Sequence, residues 1–372
     1  MRRTAPLILG AGPAGCAAAI ALARAGASPL LLDRDAEPRD ALCGGFLSWR
    51  TAAQLRALGV DPARLGARPV AQLALFSGER DVVLPLPEAS FGLSRRALDG
   101  ALRQRAVALG ARLAIDSARG IDGTTVHGRA RSWTGDGLFL ATGKHDVRGL
   151  ARPRRSPDPA LGVRLRLPAT AERTALLAGR IELHLFGRGY AGVVLQEDGT
   201  ANVCLAVRKS LLADAGGEPA HLLAMLAEAS PAFAARLAND WTGLPIETLG
   251  AVPYGWIARD TAPGLFRLGD QAAVIPSLAG EGVSIALASG AAAARHWLER
   301  GAAAAGDYQR AMAASVTGPI RIARFVRLLA ESPAAAGAGI ALAGRSPALL
   351  DLVMRLSRVP AEPTLAQAGG AP

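Results

Sequence analysis

Lysine is almost absent from this chain of 372 residues. Lys144 and Lys209 are the only two among 42 basic residues, so the net charge of +11 is an arginine charge. The arginines are scattered, with short clusters such as Arg152, Arg154 and Arg155, and aromatic residues make up only 4%. A nucleic-acid platform needs clustered charge interleaved with stacking rings, so that partner class is set aside. An anionic ligand or an acidic membrane surface stays compatible with the charge. Cysteine is scarce too: Cys16, Cys43 and Cys204, with no C-x-x-C pair. That spacing argues against a disulfide framework or a zinc site and for free thiols in a reducing cytoplasm. The five histidines stand apart with no H-E-x-x-H spacing, and no metal site is expected.

Apolar residues are abundant, at half of the chain, enough for two domains or one large interleaved unit. The run "PLILGAGPAGCAAAIALARAG", residues 6–26, follows two arginines and is uncharged from Ala5 to Ala23. A signal peptide or membrane helix would share that outline. Gly10, Gly12, Pro13 and Gly15 would break such a helix at its centre. A dinucleotide-binding turn accounts for all of them. "PLILG" reads as a buried strand, Gly10 allows the tight turn, and Gly12 admits a pyrophosphate. Gly15 lets the next helix pack on the strand. The helix starts at Pro13 and Ala14, its free N–H groups and positive dipole end toward the phosphates. Gly26 fits its stop, and a second strand ends at Asp33-Arg34, about where a ribose-binding acid belongs. "GRGYAG" at 187–192 has the same glycine spacing but no helix after it, and reads as a hairpin turn.

Far downstream, "GLFRLGDQAAVIPSLAGEGVSIALASGAAAARHWLERG" at 264–301 holds a short strand, Gly269-Asp270, a glycine-containing loop and a helix from about Gly282 to Leu298. With the N-terminal motif, this resembles the FAD-dependent oxidoreductases of the p-hydroxybenzoate hydroxylase fold. That group includes aromatic hydroxylases and geranylgeranyl reductases. The resemblance runs to about residue 300 and implies an α/β chain. A Rossmann-like FAD-binding domain (1–69, 89–155, 262–304) would carry an inserted antiparallel β-sheet substrate domain (70–88, 156–261). C-terminal helices (305–359) and a tail (360–372) would follow. It implies FAD, with NAD(P)H as electron donor. Asp270 would hold the ribityl chain, and the backbone at Gly280, Gly282 and Val283 would meet the flavin ring. Cys43, Gly44 and Gly45 would form the loop passing the flavin, closest to the reductase branch. Arg95, with Arg96 second, would contact the cofactor. Where hydroxylases carry Asp-Gly, in a motif tied to FAD and NADPH, this chain has Thr142-Gly143, with Arg148 nearby.

Between the motifs, 70–86 reads as a hairpin at Ser77-Gly78, and four strands from 161 to 207 as an antiparallel meander. Residues 211–240 read as two short helices split at Pro231. In "RIELHLF" the polar residues Glu182 and His184 alternate with Ile181, Leu183 and Leu185. If the polar face looks at the flavin, His184 could orient or deprotonate a phenol. Tyr190 begins the next strand and could donate to a substrate oxygen. Tyr254, Trp256 and Cys43 are the other pocket candidates, while Cys16 and Cys204 read as inert. The expected reaction is hydroxylation of a small apolar or aromatic substrate, phenolic or polyketide-like, through a flavin C4a-hydroperoxide. The alternative is reduction of an alkene in the geranylgeranyl-reductase manner, which the Cys43-Gly44-Gly45 loop and the missing Asp-Gly favour. From another class, a non-catalytic or membrane-peripheral flavin-binding protein is suggested by the basic balance and apolar C-terminal helices. A halogenase is disfavoured, since W-x-W-x-I-P is missing.

Overall fold

The computed structural model describes residues 6–153 and 156–359. Arg154, Arg155 and the tail from Pro360 lie outside them. A five-stranded parallel sheet forms from β1 (Leu7–Leu9), β2 (Leu30–Asp33), β6 (Arg112–Ile115), β10 (Leu138–Leu140) and β16 (Leu265–Arg267), in the order β16-β10-β1-β2-β6. Its strands are short apolar runs because both faces are covered. Alternate residues point to opposite sides. Ile8, Leu31, Phe139 and Phe266 join the main core with helices α1 (Pro13–Arg24), α2 (Trp49–Ala57), α3 (Arg95–Ala108) and α8 (Gly282–Arg300). Leu7, Leu9, Leu32, Leu138 and Leu140 face the other way. A small sheet of β7 (Ala118–Asp122), β8 (Thr125–Gly128) and β9 (Ser132–Thr134) covers them with Val126 and Trp133.

The second large sheet has eight strands: β3 (Phe46–Leu47), β4 (Arg68–Ser77), β5 (Arg80–Gly92), β11 (Ala160–Leu167), β12 (Gly179–Phe186), β13 (Gly189–Leu195), β14 (Ala201–Arg208) and β15 (Ile246–Val252). Their order is β15-β11-β14-β13-β12-β4-β5-β3. The hairpin at Ser77-Gly78 and the turn at Gly187-Arg188 stand as read from the sequence. The meander holds only for β12-β13-β14. Strand β11 lies beyond β14, because α4 (Ala171–Leu177) carries the chain away before β12 begins. Residues 209–237 form three helices, not two: α5 (Lys209–Asp214), α6 (Pro219–Ala229) and α7 (Pro231–Leu237). The extra break comes at Gly216-Gly217, both with positive φ. These helices bury Leu211, Leu222, Phe233 and Leu237 against one face of the sheet.

Three helices close the chain: α9 (Ala305–Ala330), α10 (Pro333–Arg345) and α11 (Pro347–Leu356). Helix α10 packs on β4 and β5, and α11 on β5 and α9. They roof the sheet face opposite α5–α7, and the space left there is the site.

Candidate functional site

One cavity of about 1170 Å³ runs from the end of the parallel sheet to the inner face of the large one. A pocket for one small molecule fills at most about 1,000 Å³, so this one has room for a large cofactor and a second ligand. Its first half is built by the glycine turn. Gly10 has φ +106°, and a Cβ there would lie 2.4 Å from the Ala141 carbonyl oxygen. A Cβ on Gly15 would lie 1.9 Å from the Gly10 oxygen. Around Gly12 the nearest atoms are 3.6 Å away or more, and Gly44, Gly143 and Gly282 face open space. Helices α1 and α8 both begin at this cavity, through Gly12, Pro13 and Ala14 and through Gly282 and Val283, and neither has a side-chain cap. Two uncapped helix starts facing one void make an anion-accepting cradle.

Asp33 closes the turn. Its carboxylate accepts from the Ala11 amide at 2.6 Å and the Asp35 amide at 3.0 Å, and it faces the Arg103 guanidinium at 3.2 Å. Arg103 also donates to the carbonyls of Ala11 and Asp35, welding α3 to the turn. Arg95 sits beside Gly12 and grips Asp99 with two hydrogen bonds, at 2.9 and 2.8 Å. Burial opposes its charge, but Asp99 outweighs burial and holds the guanidinium protonated. Arg34 lies at the exposed rim, with Asp35 and His145 as partners. The hydroxyl of Thr142 donates to the His145 carbonyl, and Gly143 accepts from Gln271. Gly269, at φ +55°, and Asp270 follow β16 into the cavity. Arg152 donates to the Asp270 carbonyl and to that of Lys144, tying the two loops together. Gly280, at φ +65°, lets the Phe46 ring come close.

Cys43 lines the cavity, and its carbonyl accepts from Asn202. Cys204 lines it as well, where burial pushes its thiol up to about 12 and so away from the reactive thiolate. Tyr254 is there, with its hydroxyl 2.6 Å from Ser277 Oγ, and Tyr190 hydrogen-bonds the same Oγ. Burial pushes the Tyr254 phenol up to about 12 and raises that of Tyr190. Two candidates are misplaced. His184 pairs across to Ala191, on the face that packs against α7, and is stacked on Phe76. Its Nε2 lies 3.2 Å from Glu182, which is fully buried and held by two hydrogen bonds from Arg236 at 2.7 and 2.8 Å. A buried carboxylate is tolerated when a guanidinium pairs with it. The apolar alternates Ile181, Leu183 and Leu185 therefore face the cavity. Trp256 is not a lining residue. The turn at Gly255, φ +87°, breaks the alternation after Tyr254 and directs the indole toward Arg152.

Sequence reading missed four contributors. Arg103, Arg152 and Ser277 carry no spacing or motif that marks them in the sequence. Glu281 is fully buried just before α8, where Ser48 Oγ and Arg358 each donate to its Oε1 at 2.7 Å. Only its place inside an otherwise apolar loop hinted at it.

The glycine turn, the acid ending β2 and the two helix starts fit FAD, and they define an FAD-dependent oxidoreductase of the p-hydroxybenzoate hydroxylase fold. The FAD binding domain family matches residues 3–119. The chain is 30% identical to the menaquinone reductase of Mycobacterium tuberculosis, across 77% of this chain and 75% of that protein, and belongs to that enzyme's family. It is 27% identical to digeranylgeranylglycerophospholipid reductase 2 of Methanopyrus kandleri, across 76% and 74%. In three dimensions it matches the flavin-dependent brominase Bmp2 with a TM-score of 0.75 at 17% identity, across 95% and 93% of the two chains.

Proposed function

We propose that the chain is an FAD-dependent reductase that saturates a carbon–carbon double bond of a long isoprenoid lipid. The carrying observation is the apolar second half of the cavity. Leu73, Leu75, Leu86, Ile181, Leu183 and Leu185 form its floor, and Val326, Ala330, Leu350, Val353 and Met354 its roof. Such walls bind an alkyl chain by removing it from water and offer a phenol few partners. Two relatives support the reading, since one is named for a menaquinone and the other for a digeranylgeranyl phospholipid.

Gly10, Gly12, Gly15, Asp33 and Arg95 would hold the adenosine diphosphate half of FAD. Gly44, Gly45, Asp270, Gly280 and Gly282 would hold the flavin half. Bound FAD supplies an electron pair as hydride. The protein's part is to place the alkene, exclude water and provide a proton. Three hydroxyls, Tyr190, Ser277 and Tyr254, share two mutual hydrogen bonds. Each has one proton, so whichever way the chain runs, one proton remains to donate outward. Both phenols stay protonated at neutral pH because burial disfavours the phenolates. Reduced nicotinamide is the proposed donor, read as bleaching of the flavin absorbance on mixing.

The test uses FAD-loaded protein, chemically reduced under nitrogen, and given a geranylgeranyl lipid or an isoprenoid quinone. A product whose isoprenoid chain has gained two hydrogens without oxygen, a gain that survives reoxidation of any quinol in air, supports the reductase. A product that forms only in air and gains one oxygen overturns it in favour of hydroxylation.

A further inference from the structure

Among the described residues, ten large apolar side chains are exposed, and seven of them fall between residues 325 and 356. Phe325, Leu328 and Leu329 lie on α9, Leu349, Leu352 and Leu356 on α11, and one more on α10. The adjoining faces of α9 and α11 line the cavity through Val326, Ala330, Leu350 and Val353. Each helix is therefore apolar over a wide arc, from the cavity round to the exposed surface. Arg321 and Arg324 share a stripe with Phe325 and Leu328, at helical spacing, and Arg345 is exposed at the end of α10. The acids there are committed: Glu331 is enclosed by Arg208 and Arg327, and Asp351 pairs with Arg355. No single helix among the described residues is long and apolar enough to cross a membrane.

We propose that the outer face of α9–α11 seats on an anionic lipid bilayer. Leucines and a phenylalanine would enter the headgroup boundary, and the arginines would meet lipid phosphates. Charge decides between the occupants. A second copy of the chain would set arginine stripe against arginine stripe. Residues 360–372 carry one large apolar side chain, Leu365, too few to cover seven. The consequence is access. A lipid dissolved in the bilayer would be separated from the cavity by one layer of helix. This rests on the surface alone and holds whichever reaction the flavin site performs.

The test is vesicle sedimentation with the FAD-loaded protein. Phosphatidylcholine vesicles are compared with vesicles that also contain phosphatidylglycerol. At least about tenfold stronger partition onto the anionic vesicles is expected. The double variant Leu328→Asp, Leu352→Asp should lose at least about tenfold of that binding. Arg321→Glu with Arg324→Glu should erase the preference for anionic lipid. FAD content and the far-UV spectrum of each variant should match the parent, which separates lost docking from lost folding. A parent that stays in the supernatant at low salt overturns the proposal. So does a Leu328→Asp, Leu352→Asp protein that folds and sediments like the parent. A concentration-dependent dimer that the aspartates dissolve, without vesicle binding, assigns the face to self-association instead.

Discussion

Asp33 has two oxygens and three partners, two backbone amides and Arg103 of α3, all beside the glycine turn that would carry FAD. Asp33→Asn keeps the shape but removes the charge and an acceptor. A charged hydrogen bond is worth about 1.5–3 kcal/mol, so FAD affinity should fall about ten- to hundredfold. Fluorescence titration with FAD measures this, and an unchanged affinity would count against the assigned role. Tyr254 belongs to the other half of the site. Tyr254→Phe should lower kcat about a hundredfold with FAD affinity unchanged. The parent's activity should show no loss from phenol ionisation up to about pH 10, because burial pushes the phenol up to about 12. The glycine turn, the two uncapped helix starts and Asp33 were legible because their places follow from spacing: a positive-φ glycine, a helix start, an acid ending a strand. His184 was not. Strand alternation shows that Glu182 and His184 share a face but not which face is inside. Arg236, 54 residues later, decides it by making a buried carboxylate tolerable.

At the scale of elements, α1 and α8 meet backbone to backbone. A Cβ on Gly290 would lie 2.3 Å from the Ala14 carbonyl oxygen. Alanine is the better helix former by about 1 kcal/mol, yet here it must push the helices apart. Gly290→Ala should destabilise by about 2 kcal/mol, read as a lower urea midpoint. The small sheet β7–β9 depends on Asp116. Its carboxylate accepts from the Trp133 indole at 2.9 Å and from the amides of Arg129 and Ala130. The indole first, and the amides after it, lower its pKa to about 2. The folded value lies below the ordinary one of about 3.9, so the contribution is complete above that pH and is lost as pH falls toward 2. Trp133 fluorescence, isolated by subtracting a Trp133→Phe variant, should therefore change with a midpoint near 2. A midpoint near 3.9 would show the contacts to be idle. The strand–turn–helix frame of β1, α1 and β2 was readable because it is local. This small sheet and the placement of β11 beside β14 were not, since short strands and non-sequential neighbours leave no periodic trace.

Across the whole molecule, the two ends of the chain share one site. Arg358 is buried and donates to Glu281, beside the start of α8, and its guanidinium lies over the Trp49 ring at 4.4 Å. Arg358→Met would leave Glu281 as a buried charge with Ser48 and the Val359 amide for company. Breaking such a pair costs about 3–5 kcal/mol, so thermal unfolding should move down by several degrees. A midpoint unchanged from the parent would mean that the carboxylate finds other relief. The architecture of a cofactor domain with an inserted sheet was legible because its two signature motifs stand far apart in sequence. The closure of that architecture by residue 358 was hidden, because one arginine among the many of residues 305–359 looks like any other.

The same closure bears on how the protein is made. The parallel sheet needs β16, and the Glu281 loop needs Arg358, so the first waits for residue 267 and the second for residue 358. A growing chain emerges from the ribosome at about 5–20 residues per second, N-terminal part first. Its glycine turn is therefore exposed for many seconds before the remainder of the flavin's seat exists. The seat that the flavin half would use is therefore expected to be complete only once Arg358 has joined Glu281.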